Sequence, residues 1–378
     1  MTTMQGLRSV LALLPATLAM TAGAAAPLQQ GYGDWQLNCD NRNDCVAIGR
    51  AVGYAGQIRI LRDAGIGSQP TLELFAPGVI QPRWTIDGAS PTFSDSAQSP
   101  GPHLLRWTGL AQVRARLHSL HDARVLQYGQ DSQAISLAGL SDVLTAFDQA
   151  QGRTGSVDAL LPGRAAASAH PRGPLPLLQV AAATTRTLSP AQITSYIAGI
   201  RHQQAAVLQQ RQCDADDDSL ARPYDQAFAL DADNELVFIG CQAGMYNANV
   251  VAFVVGDGRT ADARALQFPV AGVPPIEEGA EAFVLDRLGW ARFDTNSQRL
   301  TETTFHRGIG DCGHAASWRW DGHAFQIETV QLQPDCNGGD PGDWPTLWRT
   351  ASSPDNVARQ FGPLRGDPAG QHTDTGSP

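Results

Sequence analysis

Six cysteines, Cys39, Cys45, Cys213, Cys241, Cys312 and Cys336, all lie downstream of an apolar N-terminal segment, and they constrain the fold more than any other feature of the chain. In an oxidising compartment, cysteines spread this way form a disulfide framework. The spacing predicts sequential pairing, Cys39 with Cys45, Cys213 with Cys241 and Cys312 with Cys336, one connectivity among those that six cysteines allow. Each bridge would contribute about 2–4 kcal/mol, largely by restricting the unfolded chain. Zinc is the rival for these thiols, but there is no C-x-x-C pair, and disulfides are the better reading of an exported chain.

Export is read from residues 1–24. Arg8 supplies a positive start, and Val10 to Met20 form an apolar run of signal-peptide length, too short to span a bilayer. Ala22-Gly23-Ala24 fits the small-residue cleavage pattern. The competing cut after Ala26 would leave Pro27 in an extended protease site that suits it poorly, so cleavage is predicted after Ala24. No later apolar run reaches membrane-spanning length, so no transmembrane segment is expected in the mature chain.

A length of 378 residues suggests two domains. The net charge of −10 argues against nucleic acid or an anionic membrane as a partner. There is no lysine; all 27 basic residues are arginine, which excludes Schiff-base chemistry, a phosphate loop with its lysine, and a Ser-Lys dyad.

Residues 31–155 read as an N-terminal α+β domain. Short strands are predicted at Ile58 to Leu61, Thr71 to Phe75 and Arg83 to Ile86. The loop Asp40-Asn41-Arg42-Asn43-Asp44 reads as a hairpin clamped by Cys39 and Cys45. A helix is predicted over Ala111 to Leu120, and a second carries Leu140, Val143, Leu144 and Phe147 on one face after Ser136 as N-cap. Residues 156–188, rich in Ala, Pro and Gly, read as a linker. Ser189-Pro190-Ala191-Gln192 then combines a capping-box spacing with Pro at the first helical position, opening a helix to Gln212.

Beyond Cys213 the period becomes two, through predicted strands at Ala227 to Leu230, Leu236 to Cys241, Val250 to Val255, Val284 to Phe293, Leu300 to His306, Ser317 to Trp320 and Phe325 to Leu332. Asp321-Gly322 is a type I′ turn signal. Residues 189–350 are therefore predicted to be a helix followed by a mainly antiparallel β domain, sandwich or propeller-like, and 351–378 a disordered tail. The predicted fold class is α+β, stabilised by disulfides.

Several stretches together resemble a known family. They are Cys39-Asp40-Asn41 with Cys45, Ser136-Leu137-Ala138-Gly139-Leu140, Asp148-Gln149-Ala150-Gln151-Gly152-Arg153, and Gly244-Met245-Tyr246-Asn247 after Cys241. To these are added Arg307-Gly308-Ile309-Gly310-Asp311-Cys312-Gly313, Trp318-Arg319-Trp320-Asp321-Gly322, Phe325, Cys336 and Trp344-Pro345. In that order they resemble domain of unknown function 1176, a family of exported proteins of Gram-negative bacteria. Residues 35–45 are also similar, more weakly, to the invasion-associated locus B family. The resemblance implies a periplasmic location and transfers no catalytic residue.

Three constellations invite chemistry. Asp311, Cys312 and His314, with His306 nearby, suggest a nucleophilic set, but a bridged Cys312 cannot attack. The plainer reading is a tight turn permitted by Gly308, Gly310 and Gly313, with Asp311 bonding local amides. Asp214, Asp216 and Asp218 mimic the start of a calcium loop, although position six would be Ser219 instead of Gly. Trp318, Trp320, Trp344 and Trp348 could stack on sugars, although tryptophans two apart on a strand more often face the core. No cofactor is implied. The reading preferred from these residues is a non-catalytic binding or envelope-maintenance protein with a protein or envelope partner. The alternatives are an envelope hydrolase acting on glycan or ester substrates, with Asp311, His306 and His314 at its centre, and a calcium-dependent interaction module.

Overall fold

The computed structural model describes residues 26–51, 56–76, 84–90, 98–101, 103–128, 133–213, 220–270, 283–336 and 344–353. The export segment, Asp214, Asp216 and Asp218, and residues 354–378 lie outside them.

Alternation along the first strands places Trp35, Leu37, Ile58, Ile60, Leu72, Leu74 and Trp107 on one face of an antiparallel sheet. Its strands run, in spatial order, Leu28–Tyr32, Trp35–Cys39, Cys45–Arg50, Gln57–Arg62, Thr71–Phe75, Leu104–Thr108 and Gln98–Gly101. Two helices, Leu110–Leu120 and Leu140–Ala150, cover that face with Val113, Leu117, Val143, Leu144 and Phe147. The second helix does not start from Ser136, which closes the strand Gln133–Ser136. Its N-cap is Gly139, at φ 94°. A Cβ there would sit 1.9 Å from the Tyr32 carbonyl oxygen, so the close approach of the helix to the sheet requires glycine.

The opposite face of this sheet is polar. Arg59, Glu73 and Arg106 stand side by side in register, with Arg106 Nη2 2.6 Å from Glu73 Oε1. The C-terminal half reaches that face, where Gln29 Nε2 donates to the Leu332 carbonyl at 3.0 Å and Arg50 Nη2 to Gln333 Oε1 at 2.8 Å.

In the C-terminal half, the long strands Asn234–Ala243 and Ala248–Gly256 are apolar on both sides and are buried on both sides. One face packs Val237, Ile239, Val251, Phe253 and Val255 under a helix over Pro190–Gln203 through Ile200. The other packs Leu236, Phe238, Val250 and Ala252 against Leu300, Ala316, Trp318, Trp320 and Val330 of a second antiparallel sheet. That sheet runs Arg292–Asp294, Arg299–Phe305, Gly313–Trp320, Phe325–Gln333 and Thr346–Arg349. Helix, sheet and sheet thus stack as a sandwich with one helical cover, in a mostly antiparallel α+β fold.

Ser189 accepts from Gln192 N–H while the Gln192 side chain accepts from Ser189 N–H, so the capping box forms as its spacing predicts, contributing about 1 kcal/mol. The helix does not run unbroken to Gln212. It stops at Gln204, a short helix over Ala205–Gln210 follows, and Gln212 at φ 55° turns the chain so that Cys213 meets Cys241.

Two further readings are corrected. Val284 to Phe293 is not one strand but three, because the segment passes between three sheets: Phe283–Leu285 pairs with Phe268–Val270, Leu288–Gly289 with Ala248–Gly256 of the central sheet and, after a turn at Trp290 with φ 41°, Arg292–Asp294 with Arg299–Phe305. Asp321-Gly322 is not a two-residue I′ turn. The strands pair at Trp320 and Phe325 and leave a four-residue loop, 321–324, in which Asp321 accepts the amides of His323 and Ala324.

Residues 166–188 contain no helix or strand, yet they are tied down. Arg172 bonds Asp44, Gly173 accepts from Arg42, Pro176 accepts from Ala351 N–H, Ala181 N–H donates to the Trp320 carbonyl, and Arg186 pairs with Glu235. The segment crosses between the halves as a strap. At the other end, Thr350 to Ser353 close over Glu328, with Ser353 Oγ donating to the Glu328 carbonyl at 3.1 Å.

Candidate functional site

The three disulfides pair sequentially, Cys39–Cys45, Cys213–Cys241 and Cys312–Cys336, and no free cysteine is found among the described residues. The third braces the loop between Arg299–Phe305 and Gly313–Trp320, where two stretches distant in sequence meet.

Asn247, in the turn between the two long strands of the central sheet, locks onto this loop. Its Nδ2 donates to the Phe305 carbonyl at 2.7 Å, and its Oδ1 accepts from Phe305 N–H at 3.0 Å, as a neighbouring strand would. Trp290 Nε1 donates to the Tyr246 carbonyl at 2.9 Å, and the Tyr246 ring lies over Gly308. Within the loop, Arg307 grips Asp311 through two contacts of 2.7 and 2.6 Å and also donates to the Cys336 carbonyl. Asp311 is therefore held in a bidentate ion pair instead of serving only local amides. Gly310 takes φ 73°. Gly313 is required by close approach, since a Cβ there would lie 2.0 Å from the Thr304 carbonyl oxygen, while Gly308 shows no positive φ.

This frame presents apolar side chains to solvent: Met245 fully exposed, Ile309 at 64% and Tyr246 at 41%. Beside them, Gln242, Ala243, Gly244, Asn247 and Asn249 help line an open depression of about 280 Å³.

Beneath the loop, alternation brings Glu302 and Thr304 to the sandwich-facing side of their strand, with His314 opposite Thr304 on the next and the exposed His306 just past the strand's end at Phe305. Glu302 is 2% exposed and His314 9%; His314 Nε2 lies 3.5 Å from Glu302 Oε1, and the two histidine rings are 5.9 Å apart. Burial pushes Glu302 up to about 8, against the bonds its carboxyl accepts from Thr304 Oγ1 and Gly289 N–H. Burial, and then the neighbouring His306, pushes His314 down to about 4. At neutral pH the contact joins a carboxylic acid to a neutral imidazole and is not an ion pair.

The sequence set Asp311, His314 and His306 is thus only partly assembled. His306 and His314 come together, Asp311 is engaged by Arg307, and Glu302 takes the place beside His314. The signal for Glu302 was available, because it lies two residues from Leu300 and therefore on the apolar face. Asp311, Cys312 and Cys336 also cluster within 4.8 Å, but both sulfurs are consumed by the bridge and the carboxylate by Arg307, so that group is not a metal centre. Trp318, Trp320 and Trp344 are buried to within 2% and offer no ring face to a sugar; Trp318 packs on Phe268, and Trp320 Nε1 donates to Asp231 at 2.8 Å. Trp348 is partly buried against the same core.

A family profile described as "Protein of unknown function (DUF1176)" matches residues 29–351. The chain is similar to "Uncharacterized protein YpfG" of Escherichia coli (strain K12), 30% identical over 350 residues, covering 90% of this chain and 96% of that one. These matches support the first family resemblance and lend nothing to the second. No solved structure matches.

Proposed function

Because the chain belongs to the family described as protein of unknown function (DUF1176), we propose its role from geometry: a non-catalytic periplasmic protein that binds a protein partner of the envelope at the 242–249 and 306–312 end of the sandwich. One observation carries this reading. Met245, Tyr246 and Ile309 are exposed on loops that a disulfide, a bidentate ion pair and the Asn247 clamp hold rigid. Apolar side chains on preorganised loops gain contact area on binding without a large ordering cost. The export signal, which supports the location, belongs to the sequence alone. Replacing Met245 and Ile309 singly with a photo-crosslinking residue, with exposed Val157 as the control, should yield one adduct of discrete mass at the first two positions. Crosslinking that is absent, or that matches Val157, would count against the proposal.

A hydrolase acting on glycan or ester substrates is favoured by a single feature, the opposed shifts of Glu302 and His314, which are of the kind that cluster at catalytic sites. Turnover that disappears in His314→Ala would establish it. The calcium reading rests on residues outside those described.

A further inference from the structure

We propose that Glu302, His314 and His306 bind a divalent transition-metal ion of zinc's class beneath the 306–312 loop. Glu302 Oε1 and His314 Nε2 are both buried and neither has a hydrogen-bond partner. Buried polar atoms are ordinarily satisfied, and two unsatisfied atoms facing one another call for an explanation. Their separation of 3.5 Å supplies one. Nitrogen and oxygen ligands about 2.0–2.1 Å from a tetrahedral zinc ion lie roughly 3.4 Å from each other. The pair therefore has the spacing of one edge of such a site.

The surroundings fit a ligand carboxylate. Thr304 Oγ1 donates to Glu302 Oε2 at 3.0 Å and Gly289 N–H also donates to this carboxyl, the outer support that orients metal-binding carboxylates. His306 lies just past the strand's end at Phe305, its ring 5.9 Å from that of His314; its nitrogens are not within 4.8 Å of both other ligand atoms, and as an exposed side chain it would have to turn toward the shared point to complete the site. Phe283 packs edge-on against His314 and gives the site an apolar wall. Two histidines and one carboxylate leave a fourth position for water. Bound there, the ion would tie the exposed loop at His306 to the buried sheet at Glu302. The site goes beyond the partner-binding proposal, and either can fail without the other.

The competing occupant is a proton, with the Glu302 carboxyl donating to His314 Nε2. Titrating chelator-treated full-length protein with Co²⁺ at neutral pH distinguishes them. The metal site predicts intense visible bands of tetrahedral cobalt at one equivalent, bleached by Zn²⁺. Affinity should fall at least about tenfold in His306→Ala and the bands should be lost in Glu302→Gln, while His323→Ala, at the 321–324 turn, leaves them unchanged. Zn²⁺ should also raise the melting temperature of the native protein but not that of Glu302→Gln. Absence of the bands in the native protein, bands of native strength in Glu302→Gln, or unchanged cobalt affinity in His306→Ala would overturn the proposal.

Discussion

Glu302 shows how a side chain can be visible in a sequence and still be passed over. Thr301-Glu302-Thr303-Thr304 reads as a polar strand, yet parity with Leu300 directs Glu302 into the sandwich, where no arginine pairs with it among the described residues. His314 was legible as a candidate because it stands beside Asp311 and Cys312; the direction of Glu302 was available from its parity with Leu300, but not its burial, because only the stacking of two sheets removes the carboxyl from water. The consequence is a pH dependence of definite sign. With its proton held up to about 8 in the fold, against an ordinary value near 4.5, Glu302 binds more protons folded than unfolded between those limits. Its contribution to stability is complete below the lower value and is lost as pH rises toward 8. His314, pushed down to about 4, acts in the opposite sense, its contribution being present above its ordinary 6.5 and lost as pH falls toward 4. Melting curves of Glu302→Gln should therefore decline less between pH 6 and pH 8.5 than those of the native protein, where the Glu302 effect dominates. Parallel curves would show that Glu302 is ionised in the fold.

Among the elements, the helix over Pro190–Gln203 and the cysteine-clamped hairpin were the most legible, because capping, proline placement and short disulfide spans are local signals. The segment 283–294 was not. Its apolar content says strand, and only the partners it pairs with reveal that it passes through three sheets in turn. The 306–312 loop lies between these cases, since its glycines announce a turn but not the Asn247 clamp that arrives from 58 residues away. The Cys312–Cys336 bridge closes a span of 24 residues and should contribute about 3 kcal/mol. In a Cys312→Ser/Cys336→Ser double variant, the denaturation midpoint should fall accordingly, and trypsin should cut after the exposed Arg307 at doses that leave the native chain intact. Equal cleavage rates would mean that the ion pair and Asn247 hold the loop without the bridge.

At the scale of the molecule, the halves meet through charge. Arg349 lies buried between Asp40 and Asp44, which themselves cap the clamped hairpin, and Arg172 of the strap reaches Asp44 from outside. Burial pushes Asp40 up to about 6 despite the pull of Arg349, so its carboxyl is mainly ionised at neutral pH. Removing the cation leaves Asp40 buried without its counter-ion and Asp44 with Arg172 alone, and Arg349→Ala should cost about 3–5 kcal/mol. Calorimetry should then show one transition in the native protein and two in the variant, one for each half. One sharp transition at a merely lower temperature would indicate that the strap alone keeps the halves coupled. The junction also has a bearing on time. Asp40 is among the first of the described residues to be delivered as the chain is made and, as proposed, exported, and its counter-ion follows 309 positions later. The N-terminal hairpin must therefore wait, with its acidic loop solvated, until almost the whole chain has been delivered. Closure of the native state is thus set by the last strand to emerge, a long-range contact of the kind that slows folding.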